Sequence, residues 1–138
     1  MVKNLLHVGL CVSNLSRARR FYAEILGLKE IIRPDIFGTK GIWFDAGAGD
    51  QLHITQADET NSAPNPARPT QLRIANHIAF RIENYESALA TLRDAEVECQ
   101  AGRLGFKQIF ASDYDGNVIE LQEVDTGGLP QRLTATNE

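Results

Sequence analysis

Four stretches of the chain alternate apolar and polar residues with a period of two. "HVGLCV", from His7, sets Val8, Leu10 and Val12 on one side; "HIAFRI", from His77, does the same with Ile78, Phe80 and Ile82. "QLHIT", from Gln51, and "NVIEL", from Asn117, repeat the pattern with Leu52/Ile54 and Ile119/Leu121. Successive side chains of an extended strand point to opposite faces, so each stretch predicts a strand with one buried face.

The first two stretches are also copies of one another. At a constant offset of 70 residues, Val8, Leu10, Val12, Asn14 and Ala18 match Ile78, Phe80, Ile82, Asn84 and Ala88. Beyond each asparagine the apolar period changes from two to 3.6. Leu15, Ala18, Tyr22 and Ile25, with Phe21 beside them, predict a helix over about 15–26; Tyr85, Ala88, Leu89, Leu92 and Ala95 predict its counterpart. Asn14 and Asn84 stand where N-caps are required, and Gly27 where the first helix needs a left-handed residue to end. Three extended segments follow each helix, at 28–33, 40–46 and 51–56 and then at 97–101, 106–112 and 117–124. The turns "DAGAGD" and "SDYDGN" precede the last strand of each set, so His53 in "LHIT" occupies the place of Glu120 in "IELQ". The expected fold is therefore α+β: two βαβββ modules, at 4–57 and 75–125, form a cupped, mixed eight-stranded sheet with the helices outside. A connector at 58–74, with Pro64, Pro66 and Pro69, and a tail at 126–138 complete one domain of 138 residues.

Composition narrows the function classes. The formal charge of −4 comes with no basic stripe, which argues against a nucleic-acid partner. No segment approaches the roughly 20 apolar residues of a membrane span, and the N-terminal stretch does not read as an export signal. Cys11 and Cys99 make no disulfide framework, so the expected location is cytoplasmic.

The polar faces carry the chemistry. His7, His53 and His77, which are all the histidines of the chain, and Glu120 project from the concave side, opposite the apolar residues. Imidazoles with a carboxylate suit one divalent ion of Fe, Mn, Ni, Co or Zn. Four protein ligands leave two octahedral positions for water or for a substrate's oxygens, which is the arrangement of a catalytic ion. Three substrate-facing candidates share these faces. Arg81 lies on the His77 face and suits an anion, Gln51 flanks His53 together with Thr55, and Cys11 lies on the His7 face. Trp43, Phe44, Phe106 and Phe110 are candidates for an apolar lining.

The segments "LLHVGLCVSNLSRARRFYAEILGLKE", "QLHIT", "NHIAFRIENYESALATLRDAEVE" and "SDYDGNVIELQE" resemble the vicinal oxygen chelate superfamily over about residues 4–125. That superfamily includes glyoxalase I, methylmalonyl-CoA epimerase, fosfomycin-resistance enzymes, extradiol dioxygenases and bleomycin-binding resistance proteins. The resemblance implies metal ligands at His7, His77 and Glu120. It puts His53 at a position that carries either a ligand or a proton-transfer group. It further implies a metal-dependent lyase or isomerase, with Glu120 and His53 as catalytic groups, acting on a small substrate that chelates the ion through vicinal oxygens. The alternatives it implies are an Fe(II)-dependent extradiol-type dioxygenase and a non-catalytic small-molecule binding protein. A homodimer is also implied.

Overall fold

The computed structural model of the protein describes residues 1–59, 71–103 and 105–124. Among the described residues, eight strands fall four and four into two mixed sheets with the same plan. The chain forms two compact units, Met1–Pro69 with Asp113–Asn117, and Thr70–Ser112 with Val118–Glu138.

In the first unit, β1 (His7–Val12) leads into helix α1 (Leu15–Arg19), and β2 (Lys29–Ile31), β3 (Gly41–Gly47) and β4 (Asp50–Gln56) follow. The sheet order is β1-β4-β3-β2. β1 runs parallel to β4, and the other pairs are antiparallel. The period-two pattern does what it predicts: Val12, Leu52 and Ile54 are buried, while His7 and His53 stand on the more open face. Asn14 caps α1 by accepting the Arg17 N–H at 2.9 Å.

The helix does not stay α to its end. Arg20–Ile25 is a π-helical segment, in which the Leu26 N–H reaches the Phe21 carbonyl five residues back. A π turn holds more residues than an α turn and so rotates less per residue. Phe21 and Tyr22 can therefore both be fully buried although they are neighbours. Gly27 ends the segment at φ 77°, the left-handed conformation its place requires.

The second unit repeats the plan with β5 (His77–Ile82), α2 (Tyr85–Asp94), β6 (Cys99–Ala101), β7 (Gln108–Ser112) and β8 (Val118–Glu123), in sheet order β5-β8-β7-β6. Asn84 caps α2 through the Ser87 N–H at 2.8 Å. Leu89 and Leu92 on the helix and Ile109, Ala111, Ile119 and Leu121 on the sheet are buried. A 3₁₀ turn at Leu72–Ile74 inserts Leu72 against Phe110 and Val118. The second extended segment after α2, expected from Phe106, begins only at Gln108. Gly105 is left-handed at φ 87° and the Phe106 N–H closes a turn onto Arg103, so the chain is still turning there. Most of the proline-bearing connector and all of the tail lie outside the described residues. Among the described residues, no helix is long and apolar enough to cross a membrane.

Candidate functional site

Parallel pairing puts His7 opposite Gln51 and Gly9 opposite His53, so His7, Gln51 and His53 share one face of the first sheet. Gly9 has no side chain there, and the His7 ring leans across the gap onto His53, with centroids 4.1 Å apart and planes 14° from parallel. Antiparallel pairing brings Trp43 beside His53, and those two rings stack at 3.9 Å and 2°. His53 is thus held between two rings. Its Nε2 lies 2.8 Å from Gln51 Oε1, a bond in which Nε2–H donates and Nδ1 keeps its lone pair. Burial first, then the nearby His7 and Arg33 charges, hold the His53 pKa below the ordinary histidine value.

The second sheet carries a tighter arrangement. Register pairs Ala79 with Glu120, so Glu120 lies diagonally from His77 on the same face. His77 Nε2 stands 3.0 Å from Glu120 Oε2, and His77 Nδ1 donates to the Ala75 carbonyl at 2.8 Å. Glu120 Oε1 accepts from Gln108 Nε2 at 2.7 Å, and the Phe110 ring meets His77 edge-on at 5.3 Å. Gln108 is itself seated on Gly102, where a Cβ would come within 2.7 Å of the Gln108 Cβ.

This pair fits a metal on its donor chemistry. Two ligands about 2.1 Å from one ion and at right angles lie about 3.0 Å apart. The carbonyl behind Nδ1 fixes the tautomer that leaves Nε2 to bind, and Gln108 fixes the carboxylate from its far side. Among the described residues no three His, Cys, Asp or Glu side chains cluster at metal-binding spacing; the four expected ligands appear as two pairs, one in each unit.

The remaining candidates separate. Gln51, expected to face substrate, is engaged with His53 through its Oε1. Arg81 is exposed on the His77 face of β5. Cys11 is half-buried, burial pushes its thiol up, and its carbonyl accepts from Asn117 Nδ2 at 3.1 Å. Of the aromatic candidates, Phe44 belongs to the core, Phe106 is 59% exposed, and only Trp43 and Phe110 touch the histidines.

Two features were not found from the sequence. Asp113, read only as part of a turn, is 2% exposed and accepts from the Tyr22 hydroxyl, the Asn117 amide and two backbone N–H groups, at 2.8–2.9 Å. Arg33, which pattern alone could not place, donates to Thr39 Oγ1 and covers the Phe37 ring. For Asp113 the available signal was its place in "SDYDGN", where a short acidic side chain caps its own turn.

Comparison with known proteins agrees with the two-module fold. The sequence profile of the Glyoxalase/Bleomycin resistance protein/Dioxygenase superfamily matches residues 4–121. The chain is 29% identical over 147 residues to the metallothiol transferase FosB of Staphylococcus epidermidis, covering 100% of this chain and 94% of the relative. The FosB of Staphylococcus saprophyticus is 30% identical over 139 residues, covering 96% of this chain and 83% of that protein. A glyoxalase family protein of Bacillus anthracis superposes with a TM-score of 0.69 at 27% identity, covering 89% of this chain and 96% of the other.

Proposed function

Because the chain belongs to the Glyoxalase/Bleomycin resistance protein/Dioxygenase superfamily, we propose that it is a divalent-metal-dependent enzyme acting on a small substrate that chelates the ion through oxygens on adjacent atoms. The His77–Glu120 pair, with its 3.0 Å spacing and its supports at Ala75 and Gln108, is the observation that carries the reading. For the first unit, the superfamily resemblance supports His7 as a metal ligand and His53 as the proton-transfer group. The His53 ring is stacked on that of His7 at 4.1 Å and 14°, an arrangement that favours a base over a ligand at His53.

A bound divalent ion would polarise the chelated oxygens and stabilise charge that develops on them. The protein's own groups do the rest. Gln51 and the two stacked rings hold His53 in place with Nδ1 able to accept a proton. Both Glu120 oxygens are engaged, which favours Glu120 as a fixed ligand and leaves proton removal from the substrate to His53. Proton transfer of this kind supports a lyase or isomerase. Full-length likeness to metallothiol transferases favours a second reading, in which the same imidazole takes the proton of a thiol that attacks the metal-held substrate. The superfamily resemblance also supports a homodimer, which light scattering checks.

The test is metal analysis of protein purified without chelators, for wild type, His7→Ala, His77→Ala and Glu120→Ala. Unchanged stoichiometry in all three variants would sink the site. Metal-loaded protein is then screened for solvent-deuterium exchange into α-hydroxyketones, for thiol consumption with small epoxides, and for oxygen uptake with catechols. Oxygen uptake would overturn proton transfer. Chelation with no turnover in any screen would favour a binding protein.

A further inference from the structure

Arg33 follows the edge strand β2, and its guanidinium sits over Gly41. A Cβ at Gly41 would stand 3.1 Å from Arg33 Nε and 3.5 Å from Cζ, besides meeting the Ile54 carbonyl oxygen at 2.5 Å. Gly41 pairs with Thr55 and lies two residues before Trp43 on β3, so its notch opens on the face that carries Trp43 and His53. Thr39 Oγ1 accepts from Arg33 Nη2 at 2.9 Å, and the Phe37 ring lies 5.0 Å from Cζ. Phe37 is in turn 5.7 Å from Trp43. The aromatic row Phe37–Trp43–His53–His7 therefore has a fixed cation beside its outer end.

Among the described residues the charge is not used up locally. A guanidinium has five N–H donors, and Thr39 takes one of them. Glu30 lies at the same edge, but Arg19 holds its carboxylate with two contacts of 3.0 Å. An open depression of about 510 Å³ runs here, lined by Ile31, Ile32, Arg33, Gly41 and Trp43 among others. That volume is in the range of small-molecule sites.

We propose that Arg33 is a specificity-determining residue, and that the substrate carries an oxyanion (carboxylate, phosphonate or phosphate) bound by Arg33 and a flat or apolar portion lying on Trp43 and Phe37. The planar guanidinium matches such an oxyanion in a two-point contact, which an ammonium does not reproduce. This deepens the enzyme reading above by naming the substrate class of the same sheet face. It also replaces the exposed Arg81 as the preferred anion-binding group.

Trp43 is the only tryptophan in the chain, so intrinsic fluorescence reports from within the site. Chelator-treated full-length protein is titrated with phenylphosphonate and, separately, with benzyl alcohol. Wild type is expected to give a saturable change with phenylphosphonate and at least tenfold weaker binding of benzyl alcohol. Arg33→Gln should weaken phenylphosphonate about tenfold or more, Arg33→Lys by less, and neither should alter benzyl alcohol. Equal phenylphosphonate binding in wild type and Arg33→Gln overturns the proposal, as does no saturable change in wild type. Should Arg33→Gln not fold by circular dichroism, wild type decides alone: equal binding of the anion and the neutral compound overturns the proposal. Metal content of untreated protein is measured in parallel, so loss of the metal reading and loss of this one are told apart.

Discussion

Removing one hydroxyl, by Tyr22→Phe, tests the buried network around Asp113. Tyr22 is fully buried, Asp113 is 2% exposed, and the hydroxyl donates to Asp113 Oδ2 at 2.8 Å. Phenylalanine keeps the ring contacts of Tyr22 with Phe21 at 4.9 Å and Phe44 at 6.0 Å, so the change is confined to the hydrogen bond. A bond to a charged group contributes about 1.5–3 kcal/mol. An unfolding entropy of about 2.1 cal/mol/K per residue gives this chain roughly 0.3 kcal/mol/K, hence a fall in Tm of about 5–10 °C. Burial, the largest cause, pushes the Asp113 carboxyl above its ordinary range, while the Tyr22 and Asn117 bonds pull it back. A native pKa raised above the unfolded one contributes stability that is full below the unfolded value and is lost as pH rises through the native value. The hydroxyl favours the ionised form, so Tyr22→Phe costs most where Asp113 is charged. The difference from wild type should shrink as pH falls through the acid range. Urea unfolding of both proteins at several pH values measures this. A loss below about 0.5 kcal/mol at neutral pH, or a gap that widens toward acid, would refute the reasoning.

Two further substitutions probe the second unit. Gly102→Ala brings a Cβ within 2.7 Å of the Gln108 Cβ, so it should displace Gln108 from Glu120; a stability loss of about 1–3 kcal/mol and metal affinity reduced about tenfold are expected, by unfolding and metal titration. Glu96 ends α2 in the left-handed region at φ 55°, where a side chain is strained, so Glu96→Gly should raise stability by about 0.5–1 kcal/mol in thermal unfolding.

The parts of this protein that follow a period were legible in its sequence. Alternation around His7, His53, His77 and Glu120 identified the face each occupies, because a strand's side-chain period leaves no other choice once the apolar face is known. The asparagine caps were legible for a similar reason, since the cap acts on amides only two or three residues away. Arg33 was not legible: its seat depends on a missing Cβ at Gly41 and on Thr39 and Phe37, contacts made where the chain leaves β2. Asp113 was hidden differently. One of its partners, Tyr22, is 91 residues away, and no local pattern marks a carboxylate that will be buried. The stacking of His53 between His7 and Trp43 required strand register, which alternation alone does not supply.

The π-helical segment has a bookkeeping consequence for the duplicated plan. Asn14 and Asn84 open the two helices 70 residues apart, but the closing left-handed residues, Gly27 and Glu96, are 69 apart. The first helix holds one residue more than its counterpart, and the widened coil at Arg20–Ile25 is where that residue is stored. A length difference of this kind is ordinarily consigned to a loop. Here it is absorbed inside a helix, by slack wound into the coil, so that the caps at both ends keep their places and the strands on either side keep their phase.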